Sequence, residues 1–218
     1  MLSVSSKNIF MALLISAILF ASVLFESEAK AANDATPFVE GRDFVIKFPY
    51  EKPKKQQVVE FFSFMCPACF KRETTVLRWV KQKPDTVELL KIPVSFGRNA
   101  WALSAKAFYI AEELKIAGEF GKVMFQKIHI HNKPPRRLAD IEKIFAEMGV
   151  SKQDFTKAEK SFAVSSKLRK ADFLVKKYNV PSVPYFLVNF KYEATESATQ
   201  TEASLFRLWN LLPARDFN

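Results

Sequence analysis

Two cysteines occur in 218 residues, and they stand three apart in Cys66-Pro67-Ala68-Cys69. Thiols at that spacing on the first turn of a helix can form and break a disulfide between themselves. A helix start supplies unpaired backbone N–H groups and the positive end of the peptide dipoles, so a thiolate at Cys66 is stabilised there. Such a thiolate is a nucleophile and a good leaving group in disulfide exchange. Pro67 suits the first turn, where a missing N–H costs nothing. Cys69, one turn on, can attack a mixed disulfide made through Cys66. These positions make Cys66 the exposed nucleophile and Cys69 the buried resolving thiol. The competing reading is a pair of reduced core cysteines without chemistry.

Other uses of the same residues fit less well. A small domain stapled by disulfides carries more cysteines at wider spacing. A structural zinc site needs about four ligands, and the remaining candidates, His129 and His131, read as surface or helix-face residues. No metal or bound cofactor is expected. Lys and Arg number 33 against 23 Asp and Glu, a net charge of +10. That balance can mean nucleic acid, an anionic membrane or acidic partners. Here the basic residues are dispersed, as in Lys54/Lys55, Arg136/Arg137 and Lys176/Lys177. No RNA- or DNA-binding motif accompanies them, so they read as a solvated basic surface with no nucleic-acid partner.

The dithiol needs elements to position it. Gln57 to Phe64 is a nearly continuous apolar run of strand length, the pattern of a strand buried on both faces, with Glu60 inside it. From Cys66 a helical stripe follows at Phe70, Val76, Leu77 and Val80, and Pro84 stops it. Phe44 to Phe48 and Val87 to Val94 read as strands, the latter containing Lys91. After Gly97 the period changes. Ala102–Ile116, Phe120–Ile130, Leu138–Met148, a short helix capped by Ser151 with Asp154 in a capping box, and Val164–Tyr178 all read as helical. Strands return at Pro184 to Asn189, with Lys191 to Glu193 as a possible hairpin partner across Asn189-Phe190, an unusual turn pair. Glu202 to Leu212 is an amphipathic helix. The 22 Phe residues supply core and groove lining, and only 5 Gly argue against an all-β fold. The order describes an α/β domain split by a helical insertion.

The first residues form an address. Lys7 precedes an uncharged apolar run from Ile9 to Phe25, and Ala29 and Ala31 have the small-x-small spacing of a signal-peptide cleavage site. Residues 1–31 therefore read as a signal peptide. The competing reading is a retained membrane anchor, since the run is slightly long for the first and slightly short for the second. Either places the folded part outside the cytoplasm, where disulfides persist.

The segment Val59-Glu60-Phe61-Phe62-Ser63-Phe64-Met65-Cys66-Pro67-Ala68-Cys69 resembles the active-site segment of the DsbA family of periplasmic disulfide oxidoreductases. Ser182-Val183-Pro184-Tyr185-Phe186-Leu187-Val188-Asn189 is similar to that family's cis-proline segment, and the helical insertion is also like DsbA. The resemblance implies a thioredoxin fold with an inserted all-helical domain: residues 32–100 the first thioredoxin part with the active site, 101–176 the insertion, 177–218 the second part. It implies that Pro184, rather than nearby Pro181, follows a cis bond, with Val183 and Pro184 binding substrate. It implies that Glu60 is the buried acid relaying the proton Cys69 must lose, with Lys91 as its partner. A buried salt bridge without a chemical role is the plainer reading of that pair. Pro67 and Ala68 would tune the redox pair. The family usually has Pro-His between its cysteines, and Ala68 offers neither a donor nor a charge, so a weaker oxidant is expected. The implied function is disulfide donation to reduced exported proteins, with reoxidation by a DsbB-type quinone-linked membrane partner. The alternatives are a reductase or isomerase kept reduced by a membrane protein, and a chaperone-like module.

Overall fold

The strand carrying Glu60 lies at the heart of the sheet. In the computed structural model, which describes residues 37–217, that strand is β2 (Gln57–Phe62), and every residue from Val58 to Phe62 is buried. It pairs in parallel with β3 (Glu88–Pro93) and antiparallel with β4 (Tyr185–Val188). Continuous apolar character follows, because both edges and both faces are covered. Adding β1 (Phe44–Ile46) and β5 (Tyr192–Ala194) gives a five-stranded mixed sheet in the order β1-β5-β4-β2-β3. Helix α1 (Pro67–Val80) is the crossover between the parallel pair. The sequence reading ran β2 on to Phe64, but Ser63 leaves the ladder to form the turn before α1.

Five helices follow β3: α2 (Asn99–Glu113), α3 (Ala117–His129), α4 (Leu138–Glu147), α5 (Lys152–Glu159) and α6 (Phe162–Lys177). Their apolar faces meet the sheet in a shared aromatic core. Phe62 and Phe64 leave the end of β2 and pack edge-on to each other at 5.2 Å. Phe62 meets Phe108 of α2 at 5.2 Å, and Phe64 meets Phe125 of α3 at 4.9 Å. Edge-to-face pairs of this kind add about 0.5–1.5 kcal/mol each beyond simple burial. The same residues that lead into the turn before Cys66 thus anchor it to the insertion. Ser151 caps α5 by accepting from the Asp154 N–H at 3.1 Å. The Asp154 carboxylate, however, receives the Ser151 hydroxyl at 2.6 Å, so the expected reciprocal box is replaced by a bond between the two side chains.

The C-terminal end closes the other side. Helix α7 (Glu196–Thr199), which the periodicity did not reveal, is followed by α8 (Glu202–Leu211) and a 3₁₀ turn at Leu212–Asp216. Trp79 of α1 and Trp209 of α8 meet edge-on at 5.1 Å, and the Trp79 indole donates to Asn210 Oδ1 at 2.7 Å. Among the described residues no helix is long and apolar enough to cross a membrane. The signal-peptide segment, with Ala29 and Ala31, lies outside the described residues.

The hairpin turn is built from residues unlike the favoured Asn-Gly. Asn189 and Phe190 have φ of 54° and 58°, the left-handed values a type I′ turn requires at both central positions. Lys191 N–H donates to Val188 O at 2.9 Å and closes the turn. Phe190 stands where glycine is usual, and its stack on Tyr178 at 4.7 Å offsets the backbone cost, about 1–2 kcal/mol. Asn189 is fully buried and its amide is saturated. It accepts from Gln57 N–H at 2.9 Å and donates to Pro213 O at 2.8 Å and Asp216 Oδ2 at 3.0 Å. Asp216 also receives Lys191 at 2.6 Å and Tyr192 at 2.7 Å. Asn189→Ala removes a partner from three groups on two segments, β2 and the 3₁₀ turn, and each buried group left unpaired costs about 1–3 kcal/mol. Denaturant unfolding of this variant is expected to show a loss on the order of 3 kcal/mol; a loss below about 1 kcal/mol would mean the turn holds without the amide.

Candidate active site

Beyond Phe62 the chain turns through Ser63, Phe64 and Met65 into α1. Ser63 organises the turn: its hydroxyl accepts from Met65 N–H at 3.2 Å and its carbonyl from Cys66 N–H at 3.1 Å. Cys66 is the N-cap of α1, with an extended backbone (φ −95°, ψ 118°), and Pro67 opens the helix. Its sulfur does what a cap oxygen does elsewhere, accepting the Cys69 N–H at 3.4 Å. No acidic side chain occupies the first turn, so nothing competes with an anion at the cap. Both cysteines are free thiols. Cys66 is 8% exposed and Cys69 0%, with Pro67 and Ala68 open to solvent beside them, so an attacking group meets Cys66 first.

The Val183–Pro184 bond is cis, the one such bond among the described residues. It delivers the Val183 carbonyl to Cys66, whose thiol donates to it at 3.3 Å. Residues 117 apart in sequence therefore meet at one sulfur. Pro184, Tyr185 and Arg72 border a cavity of about 160 Å³ that continues towards Trp209.

Beneath the thiols lies a charged cluster. The parallel register sets Glu60 opposite Lys91. Glu60 is fully buried, its Oε2 is 3.2 Å from Lys91 Nζ, and neither carboxylate oxygen has a hydrogen-bond partner among the described residues. Lys91 makes its better bond to Glu73 at 2.6 Å. Burial raises the Glu60 pKa; Lys91 opposes this and the Glu73 charge adds to it. Burial alone would lower Lys91, but the two carboxylates outweigh it and hold the lysine charged. The geometry makes Lys91–Glu73 the closer ion pair and leaves Glu60 the less compensated acid, its pKa pushed up by burial. Burial also pushes the Cys69 thiol far above the usual range, with smaller upward contributions from Cys66 and from Glu60. A cleft of about 530 Å³ reaches Glu73 and Lys91 from the side of α2 and α3.

The expected residues thus fall in one place: Cys66, Cys69, Pro67 and Ala68 at the helix start, Val183 and Pro184 across from them, Glu60 and Lys91 below. Two neighbours were missed. Glu73 lies seven residues after Cys66, two helical turns along the same face, and that spacing was a readable signal. His129 was read as a surface or helix-face residue. It is a helix-face residue, but its ring is partly buried, bonded to Phe64 O at 2.8 Å and stacked on Phe70. No local pattern discloses that contact across 65 residues.

Residues 57–200 match the DSBA-like thioredoxin domain family. The thiol:disulfide interchange protein DsbA of Pseudomonas syringae pv. tomato is 34% identical over 183 residues, covering 83% of this chain and 84% of its own. The protein of the same name from Pseudomonas aeruginosa is 31% identical over 183 residues, with the same coverage. A crystal structure of Pseudomonas aeruginosa DsbA superposes with a TM-score of 0.70 at 26% identity, over 83% of this chain and 95% of that one.

A test of the charge cluster follows from its sign. A carboxyl whose folded pKa is raised gives stability that is fully present below its unfolded value, about 4.3, and is lost as pH rises through the folded one. Glu60→Gln removes that loss and leaves Lys91 paired with Glu73. In the reduced protein at pH 7 the variant is expected to be more stable by on the order of 1–3 kcal/mol, an advantage that disappears below about pH 4. Denaturant midpoints at the two pH values check this, and a less stable variant at pH 7 would show that the folded protein does not raise the Glu60 pKa.

Proposed function

The chain belongs to the DSBA-like thioredoxin domain family, and on that footing we propose that Cys66 and Cys69 are its redox pair and that it works as a disulfide donor to exported proteins. It is a thiol:disulfide oxidoreductase with a thioredoxin fold. The observation that carries the assignment of roles is the unequal setting of the two sulfurs. Cys66 caps a helix with no acid in its first turn, beside exposed residues, whereas Cys69 is sealed and its thiol form is favoured by burial.

In the donating direction a client thiolate attacks Cys66 Sγ of the oxidised protein. The Cys66–Cys69 bond breaks, Cys69 leaves with the electron pair, and a mixed disulfide joins the client to Cys66. The departing sulfur is one that burial disfavours as an anion, and Glu60 holds a proton to give it. A second client thiolate attacks the client sulfur of the mixed disulfide and releases Cys66 as the thiolate that the helix start stabilises. The client gains a disulfide and the protein is left as the dithiol. Reoxidation runs the proton the other way, from Cys69 to Glu60, and Lys91 with Glu73 keeps that acid poised. Val183 and Pro184 would seat the extended client segment beside Cys66, main chain against main chain. Residues 1–31 would deliver the protein to the periplasm, and a DsbB-type quinone-linked membrane protein would reoxidise it. Ala68 supports a milder oxidant, and a reductase or isomerase role would follow if a membrane partner kept the pair reduced.

The roles separate experimentally. Cys66→Ser is expected to abolish oxidation of a reduced model client. Cys69→Ser is expected to accumulate mixed disulfides through Cys66, seen as thiol-sensitive adducts on non-reducing gels. Adducts formed by the Cys66→Ser protein and absent from Cys69→Ser would reverse the assignment.

A further inference from the structure

His129 ends α3, yet it touches the redox turn on both sides. Its Nε2 lies 2.8 Å from the carbonyl oxygen of Phe64, two residues before Cys66. Its ring stacks on Phe70, the residue after Cys69, with centroids 4.9 Å apart and planes 13° from parallel. A carbonyl oxygen only accepts, so Nε2 is the protonated nitrogen and the imidazole is the donor. Phe64 is 1% exposed, so its carbonyl has little access to water as a substitute partner. Ser63 fastens the turn from within the turn itself, and His129 fastens it from α3. This is the imidazole packed on the active-site segment of a chain that carries Ala68 between its cysteines.

We infer that His129 is a positioning residue for the redox pair: its Nε2–H···O=C bond to Phe64, braced by the stack on Phe70, holds the turn in the form that the reduced protein needs. The inference rests on Cys66 and Cys69 being that pair. The reason is differential. In the oxidised protein the covalent bond itself keeps the two sulfurs together. In the reduced protein no bond does so, and the Cys66 sulfur is stabilised only while it stays aligned with the Cys69 N–H. A clamp from α3 therefore favours the dithiol over the disulfide, which makes the pair more oxidising. By linkage, reduction of the pair tightens the clamp by the same factor.

Two substitutions divide the ring's contributions. His129→Phe keeps the stack and removes the donor; His129→Gln keeps a donor and removes the stack. Equilibration with glutathione at fixed pH, read by thiol trapping, gives the constant for oxidation of the dithiol. His129→Phe is expected to raise that constant about tenfold, the factor a single hydrogen bond carries, equivalent to about 30 mV. His129→Gln is expected to remain within about twofold of the parent. An unshifted Phe variant, or a Gln variant shifted as far as Phe, overturns the inference. If the Phe variant does not fold, exchange of the His129 ring N–H in the parent protein decides: slower in the reduced form is expected, and equal rates in both forms overturn it. The parent's own glutathione titration keeps the two claims apart. A parent that does not titrate as a two-electron couple defeats the assignment of the pair, whereas a titrating parent with an unshifted Phe variant defeats only the clamp.

Discussion

A sulfur atom in the place of a helix cap governs much of this structure. Cys66 accepts the Cys69 N–H as a serine or aspartate would, so the first turn of α1 is completed only if that sulfur is held at the end of β2. Holding it there requires a strand that stops at Phe62, a turn knotted by Ser63, and aromatic anchors at Phe62 and Phe64 that reach into the helical insertion. It also requires the cis Val183–Pro184 segment to meet the thiol from the opposite side. The sheet order explains how this is possible. With β4 beside β2, the segment just before β4 arrives at the same sheet end as the segment just after β2.

The same sheet explains the charges below the sulfurs. A carboxyl in a central strand has no water to solvate it, and its neighbour in the parallel register is a lysine already committed to Glu73. Two acids sharing one lysine cannot both be fully compensated, and burial makes Glu60 the weaker acid. Such an arrangement is a poor device for stability, and it lies beneath a thiol whose protonated form burial favours. Stability comes from elsewhere, chiefly the aromatic core and the Asn189–Asp216 latch that ties the hairpin turn to the C-terminal end.

Much of this could be read along the chain because it depends on local spacing. The dithiol at a helix start, the apolar strand before it, the change to helical period after Gly97 and the return to strands at Pro184 are all short-range patterns, and the resemblance to DsbA supplied the cis-proline and the pairing of Glu60 with Lys91. What escaped was either too short to show a pattern or set by a contact that no pattern discloses. Ser63 belongs to an apolar run but bends into the turn because Met65 and Cys66 need its acceptors. Phe190 tolerates a glycine-like backbone only because Tyr178 lies under its ring. Four-residue α7 is too short to show a period, and His129 looks like any polar helix end until Phe64 and Phe70 are brought to it.

The account turns on the unequal chemistry of the two sulfurs, and competition for a small alkylating agent tests it directly. The reduced protein, treated briefly at neutral pH and mapped by peptide mass spectrometry, is predicted to carry the label on Cys66 with Cys69 unmodified until the protein is unfolded. Labelling of Cys69 at a rate equal to or above that of Cys66 would contradict the account, because neither burial nor the helix cap would then be controlling which sulfur reacts.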